Sequence, residues 1–543
     1  MKLKKDSSEQ KLRGAYYTPL QLANAMVELF DFNSIRTVLE PSCGDGVFLD
    51  SLSHYGLIDR IDSLTAVEID PSEAGKVKEA YQDHNNVHVL REDFLKYYGQ
   101  VLGRNQYDLI LGNPPYIRYQ YLTEEQRELQ SRILTSHGMK ANKLINAWVA
   151  FLVACVQLLS DTGKIAFVIP AEILQVAYAE DLRLFLSENL ARITLITFEQ
   201  LVFPDIEQEV VVFIGERGKE EKGIRIVEMN NLDDLANLDL MQNGFQKMQH
   251  VKEKWTKYFV NAAEMELIQQ IRADSRFAKF SDYGLINVGI TTGNNSYFSI
   301  TEDVCKKYAL DDVTLPLIGR SSHAHGITFT EDDWAANKAS GKRARLVAFP
   351  ESVPFDDYPI EHKEYIKLGE DQGDNKGYKC SIRDRWYIVP SIWIADAFFL
   401  RRNNFYPKFV LNECKAVSTD TMHRMKFNSG VDPRNVLLAY YNSISFAFTE
   451  ICGRSYGGGV LEILPGEMGN IMLPKIAGID PKCRENLLQR VDQIVRKDED
   501  IEAALAIVDN EVLVGILGVD PNWCAICRSI WRKLQKRRLG RGE

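Results

Sequence analysis

Residues 38–49 read VLEPSCGDGVFL, and the kind of turn they make decides the fold. Val38 and Leu39 end an apolar run, Glu40 tips it, and Gly44 and Gly46 open the next helix. A strand that passes through a glycine-rich turn straight into a helix begins a βα unit, in which backbone approaches a ligand closely and the helix N-terminus offers N–H groups. The rhythm extends on both sides. Helical spacing covers 21–30 and 72–84, and strand-like runs stand at 37–41, 63–70, 86–90 and 107–113. Beyond them come a long apolar helix over 144–159, a strand at 163–170, a helix at 179–190 and strands at 192–198 and 208–216. This alternation predicts a parallel-sheet α/β domain. The last two strands have no helix between them, which allows an antiparallel strand at one edge.

At 543 residues the chain is too long for a single core. After residue 218 the composition turns charged and polar and the βα rhythm fades. Four segments are expected: an α/β domain at 1–245, a linker or helical connection at 246–279, an irregular mixed domain at 280–474 that presents loops to a partner, and a charged helical segment at 475–543. No stretch approaches the ~20 apolar residues a membrane span needs, and the basic N-terminus has no apolar run behind it, so a cytoplasmic or nucleoid protein is expected. Nine cysteines, an odd number, read as reduced thiols, and the lone CxxC of Cys524 and Cys527 reads as core rather than metal ligand. A net charge of −10 argues against a uniformly basic nucleic-acid coat. Cations nevertheless gather locally, in Arg383, Arg385, Arg401, Arg402, Lys408, Lys415, Arg424 and Lys426, and in a tail from Arg528 to Arg541. A phosphate binder needs a local basic face rather than a basic average; the tail by itself reads as solvated surface.

Three strand ends specify a nucleoside. The turn at Gly44 and Gly46 follows the first; Glu68 ends the second, where a ribose diol would donate hydrogen bonds; Asp93 and Phe94 follow the third, an acid beside an aromatic that suits an exocyclic amine and an adenine face. No GxGxxG occurs, so the first loop is not built around a pyrophosphate. A nucleoside without phosphates and with an amino-acid arm fits better, which points to S-adenosylmethionine.

The fourth strand runs into DLILGNPPYIRYQ, residues 108–120. A structural interpretation makes Asn113-Pro114-Pro115-Tyr116 a turn that stops a strand, with Tyr116 in the core. A chemical one uses the rigid prolines to aim the Asn113 amide oxygen and the Pro114 carbonyl into one cleft. Two acceptors in one place suit a molecule with two donor hydrogens, an amino group. Accepting both would draw an aromatic amine toward pyramidal geometry and localise its lone pair for in-line attack on a methyl group. Tyr116 would stack on the base, which would have to be flipped out of a duplex to reach the cleft.

RGAYYTP, VLEPSCGDG, AVEID, EDF and LGNPPY, in that order, resemble the motifs of the amino-group DNA methyltransferases, specifically the N6-adenine enzymes of the gamma arrangement found in type II restriction-modification systems. The resemblance covers about residues 13–215. It implies a Rossmann-like methyltransferase domain followed by a mixed α+β target-recognition domain and a helical tail, with double-stranded DNA as partner. It places Tyr17, Thr18, Glu40, Ser42 and Gly44 at the methionine arm, Glu68 at the ribose, and Asp93 and Phe94 at the cofactor adenine, with Ile69 also a cofactor-binding residue. Asn113, Pro114, Pro115 and Tyr116 would carry catalysis, and Phe203 would meet the edge of the flipped adenine. More loosely, GITTGNNSYF and GRSYGGGVLEILP resemble the DNA-handling half of large modification enzymes. Gly293, Asn294 and Asn295 suit a turn approaching a backbone, and Arg454, Ser455 and Tyr456 suit phosphate or base-edge contacts; a glycine-rich scaffold turn is the alternative for both.

PFDDYPIEHK, with Asp356, Asp357, Glu361 and Lys363, is too compact for a metal-binding nuclease hairpin and reads as an acidic loop. With about a dozen residues before the cofactor motifs, any cognate endonuclease is expected on another polypeptide, and no metal is expected. The rival activities are N4-cytosine methylation, which has the same two-hydrogen amine, and methylation of RNA or of a protein glutamine amide. A catalytically silent DNA-binding module would be expected to show a disrupted cofactor loop, and this loop is intact.

Overall fold

The computed structural model describes residues 17–140, 145–198, 202, 209–238, 244–248, 254–456 and 459–540. The chain divides into two compact units, Met1–Phe259 and Val260–Glu543.

In the first unit nine strands share one sheet: β1 (Thr37–Glu40), β2 (Ser63–Glu68), β3 (Val87–Arg91), β4 (Tyr107–Gly112), β5 (Leu159–Pro170), β6 (Arg192–Phe198), β7 (Val210–Glu216), β8 (Gly223–Met229) and β9 (Gln246–Lys247). Their spatial order is β3-β2-β1-β4-β5-β7-β6-β8-β9. Strands β1 to β5 pair in parallel, so the carboxyl ends of β1, β2, β3 and β4 lie along one edge. The order reverses between β1 and β4, which is where open α/β sheets leave a crevice for a ligand. At the opposite end Asp108 joins three strands: it accepts hydrogen bonds from the Arg36 and Thr37 amides, at 3.0 and 3.1 Å, and from the Ser160 hydroxyl at 2.9 Å.

Two expectations need correction. The antiparallel strand, β7, is internal, hydrogen-bonded to β5 on one side and β6 on the other. Paired antiparallel on both sides, β7 fills the place between β5 and β6. The sheet also continues past residue 218: β8 pairs in parallel with β6, and the charged stretch before it is only a turn. Helix Ala147–Gln157 is buried on nearly every side, which is why its sequence is apolar all round rather than amphipathic.

The second unit is mixed α+β. Its strands are β10 (Phe277–Lys279), β11 (Gly284–Val288), β12 (Ser299–Ile300), β13 (Thr314–Ile318), β14 (Thr328–Phe329), β15 (Arg345–Val347), β16 (Ala397–Leu400), β17 (Arg402–Asn403), β18 (Phe409–Asn412), β19 (Val417–Ser418), β20 (Met422–Phe427), β21 (Arg454–Tyr456), β22 (Val460–Glu462) and β23 (Met472–Pro474). They form small sheets, a five-stranded β11-β20-β16-β18-β14 and a four-stranded β12-β15-β13-β19 among them.

Ile271 of helix Ala262–Ala273, Phe448 of Ser443–Cys452, Val491 of Pro481–Arg496 and Trp531 of Pro521–Leu539 share one core with Phe399 of β16 and Phe409 of β18. Residues from 260 onward are therefore part of this unit rather than a linker, and the final helices are part of its core rather than a separate segment. The basic tail is solvated surface only in part: Lys533 and Lys536 are exposed, whereas other cations of the tail are held inside the unit. Arg528 meets Asp509, and Arg538 meets Glu450 with both side chains buried. Much of the other cationic cluster is engaged within the protein: Arg401 and the exposed Arg402 share Glu462, the exposed Lys426 meets Asp396, and Arg383, Arg385 and Arg424 donate to backbone carbonyls. Cys524 and Cys527 are buried in helix Pro521–Leu539. Among the described residues no three or more His, Cys, Asp or Glu side chains are placed so that they could hold a metal ion, and no helix is long and apolar enough to cross a membrane.

Candidate active site

A cavity of about 600 Å³ opens at the carboxyl ends of β1 to β4. All nine residues expected at the cofactor line it: Tyr17, Thr18, Glu40, Ser42, Gly44, Glu68, Ile69, Asp93 and Phe94. So do Asn113 and Pro115; Pro114 and Tyr116 do not. Phe203 lies outside the described residues.

The backbone brings these groups together strand by strand. After Glu40 the chain turns through Gly44 and Gly46, both with positive φ, and Gly46 caps helix Val47–His54. A Cβ on Gly46 would be strained by its φ of 90° and would lie 3.0 Å from the Val77 side chain, a tight contact. Glu68, at the end of β2, accepts from the Gly44 amide at 2.8 Å and from the Asp70 amide at 2.7 Å. Its carboxylate thus fixes the first loop as well as facing the cavity. Asp93 caps helix Phe94–Val101 through the Leu95 amide, and its second oxygen accepts from Gln126 Nε2 at 2.9 Å. Ser42 donates to the Asn113 carbonyl at 3.3 Å, linking the first loop to the end of β4. The Tyr116 hydroxyl donates to the Val168 carbonyl of β5 at 3.0 Å, which pins one end of that ring against the sheet.

Several wall residues escaped sequence reasoning. Phe151 leans against Phe94, with ring centroids 4.9 Å apart, but in sequence it is one apolar residue in an unbroken apolar run. Gln126 and Gln130 project from helix Glu124–Ser136, which was not among the expected elements. The capping box of Thr123 and Gln126 was the available signal for that helix.

The electrostatics select the ligand. Seven carboxyl groups line the cavity, from Glu40, Asp45, Glu68, Asp70, Glu73, Glu92 and Asp93, and among the described residues no lysine, arginine or histidine does. Such walls repel phosphates and favour a cation. Glu40 is buried, its Oε2 has no hydrogen-bond partner within the protein, and burial, with Asp45, Glu68 and Asp50 adding, raises its carboxyl well above the usual range. A buried acceptor left unmet is costly unless a ligand supplies the donor. Gln130 is in the same condition: Nε2 donates to the Ile145 carbonyl while Oε1 is buried and unmet. Acceptors that await donors in an acidic, partly apolar cavity fit a nucleoside that carries an ammonium and a sulfonium, as S-adenosylmethionine does.

The residues expected at DNA are largely engaged inside the second unit. Gly293 has φ 86°, and a Cβ there would meet Lys379 at 2.9 Å. Asn294 caps helix Asn295–Phe298 and donates to Asp374, while Asn295 donates to Asp420 at 3.3 Å. The Arg454 guanidinium, expected at a phosphate or base edge, is committed to Glu467 at 2.6 Å. Ser455 has a buried hydroxyl, and the Tyr456 side chain lies outside the described residues.

Residues 56–203 match the family model described as Eco57I restriction-modification methylase, and residues 252–513 match that of the type II methyltransferase M.Eco57I, C-terminal domain. The chain is 25% identical to the type II methyltransferase M.AccI of Acinetobacter calcoaceticus over 493 residues, 87% of each chain. It is 30% identical to the type II methyltransferase M.HincII of Haemophilus influenzae over 241 residues, 44% of each chain. Among solved structures, the type IIL restriction-modification enzyme MmeI, in complex with DNA, aligns with a TM-score of 0.59 at 13% identity, covering 98% of this chain and 80% of that one. That last likeness is one of fold.

Proposed function

The chain belongs to the type II restriction-modification DNA methyltransferase family, and from that premise we propose that it methylates the N6 amino group of an adenine flipped out of a specific site in duplex DNA. The observation that carries this is Asn113-Pro114-Pro115-Tyr116 at the carboxyl end of β4, on the rim of an acidic cavity that no basic side chain lines among the described residues. When bound, S-adenosylmethionine supplies an electrophilic methyl group on sulfur.

The protein's part is to hold and polarise the amine. The Asn113 amide oxygen and the Pro114 carbonyl accept its two hydrogens, localise the lone pair and set its direction of attack. No strong base is needed, because the methylated amine gives up its extra proton readily. Pro115 stiffens the turn, and Tyr116, anchored through its hydroxyl to β5, offers a face on which the base stacks, worth about 1–3 kcal/mol. Glu40 accepts hydrogens of the methionine ammonium, Glu68 the ribose hydroxyls, and Asp93 the amine of the cofactor's adenine. Adenine is favoured over cytosine by the ordered set of segments around LGNPPY, which resembles the N6-adenine enzymes; N4-cytosine is the second candidate because its amine makes the same demands. The second unit selects the target site.

Asn113→Ala tests the assignment. Methyl transfer to DNA should fall below detection while affinity for S-adenosylmethionine, measured calorimetrically, stays within about threefold, since the group is assigned to the amine. Equal loss of both in a folded variant would make Asn113 a cofactor ligand and contradict the mechanism.

A further inference from the structure

Several loops of the second unit end at one edge of its four-stranded sheet. β13 leaves the sheet into Gly319 and Arg320, and β19, parallel to it, leaves into Thr419 and Thr421. β15, antiparallel to β13, enters just after Lys342 and Arg343. With helix Asn295–Phe298 these segments enclose a cleft of about 550 Å³. Hydrogen bonds hold its frame: the Gly319 amide donates to His323 Nδ1 at 3.2 Å, and the Thr421 hydroxyl donates to the Gly319 carbonyl at 3.1 Å.

The charge of this cleft is unusual for a chain with 75 acidic and 65 basic residues. Arg320, Lys342 and Arg343 line it, and among the described residues no carboxylate does. Elsewhere in the unit arginines tend to find acids: Arg345 meets Glu302, Arg434 Glu485, Arg496 Asp333 and Arg538 Glu450. The cleft cations do not. Lys342 donates to Asn337 Oδ1 at 2.8 Å and to the Ser322 carbonyl, Arg343 donates to the Ser296 carbonyl at 2.9 Å, and Arg320 is exposed. Neutral groups orient Lys342 and Arg343, and among the described residues no acid forms an ion pair with any of the three. Buried His323 registers that field: burial first, then Lys342 and Arg320, push its imidazole down to about 4, so it stays neutral and can accept the Gly319 hydrogen bond.

A fixed concentration of positive charge, floored by hydroxyls and backbone, is a seat for an anion. Among the described residues no phenylalanine, tyrosine or tryptophan lines it, so they offer no platform on which a base could stack, and its contacts suit phosphate and not nucleobase. We propose that this cleft seats backbone phosphates of the DNA through Arg320, Lys342 and Arg343, and positions the duplex without reading its sequence. The inference rests on DNA being the substrate and adds the surface that grips it.

Salt dependence separates this role from base reading, because each phosphate contact contributes about −0.9 to the slope of log affinity against log salt. The full chain is titrated with a duplex carrying the target site and with an unrelated duplex of equal length. The triple variant Arg320→Gln, Lys342→Gln, Arg343→Gln should lose affinity for both duplexes alike, with a slope shallower by about 2–3, and keep its cofactor affinity. Arg320→Glu, a change at an exposed side chain that leaves the frame intact, should weaken both duplexes further than Arg320→Gln. An unchanged slope in folded variants, or a loss confined to the target duplex, would overturn the proposal. Weaker binding of inorganic phosphate with DNA binding unaltered would identify a small-anion site instead and also overturn it. If the wild type methylates DNA while the triple variant keeps its slope, the cleft assignment fails and the proposed function stands; a wild type that binds no duplex sinks both.

Discussion

Glu40 lies 3% exposed at the end of β1, and burial raises its carboxyl well above the ordinary carboxylate range. The sign of the consequence is fixed by linkage. Between the ordinary value and the raised one, the folded protein keeps a proton that the unfolded chain releases, so this group's contribution to stability is present at low pH and is lost as pH rises through that window. Glu40→Gln removes the ionisation. Without cofactor the variant should melt like the wild type near pH 5 and progressively higher than it toward pH 8, as followed by circular dichroism. Its affinity for S-adenosylmethionine should fall about ten- to a hundredfold, the loss of one charge-assisted hydrogen bond of about 1.5–3 kcal/mol. A variant with the wild-type pH dependence and wild-type affinity would remove Glu40 from the site. At this scale the sequence was most legible where topology leaves no choice: residues at the ends of β1, β2 and β3 must face one crevice. Partners were not legible. Nothing in the spacing of Arg454 and Glu467 announces their ion pair, and Glu68 and Asp93 each hold backbone as well as facing the cavity.

The elements that aim the proposed catalytic turn are held at their far ends. Asp108 starts β4 and accepts from two amides ahead of and within β1 and from the Ser160 hydroxyl on β5. Although burial opposes it, these hydrogen bonds hold its carboxyl below the usual value. Its stabilising effect is therefore present above the unfolded carboxylate value and lost as pH falls through the lower, folded one. Asp108→Ala should cost about 1–3 kcal/mol at neutral pH, as denaturant melts would register, because it leaves strand-end donors unmet; an unchanged midpoint would show that water replaces it at no cost. The strands and helices of the βα series were readable from period and punctuation. The position of β7 was not, since pairing order depends on which sheet edge is open. Helix Glu124–Ser136 was also missed; only about a quarter of its face is buried, so its periodicity is faint beside its capping box.

Across the whole chain, charge is sorted by site. The cavity of the first unit has acids and no bases in its wall, and the cleft of the second has bases and no acids, among the described residues. Composition hides this, because a net charge of −10 is a sum over both. The cationic runs conspicuous in sequence, from Arg401 to Lys426 and from Arg528 onward, proved largely structural, whereas the cleft draws its three cations from two separate loops that no run of sequence joins. The end of the α/β domain was legible from the loss of βα rhythm, but the boundary at residue 259 and the core that joins residues such as Ile271 to Trp531 were not, because they depend on long-range packing, and four segments were expected where the chain forms two units. The central claim is chemical, that the amine methylated is adenine N6 at one DNA site. Modification-sensitive long-read sequencing of DNA from a methylation-free host that expresses the chain, with Asn113→Ala as control, tests it most directly. The account predicts N6-methyladenine at a single recurring motif with the intact protein and none with the variant. N4-methylcytosine at that motif, or an unmodified genome in cells that contain folded, cofactor-binding protein, would contradict it.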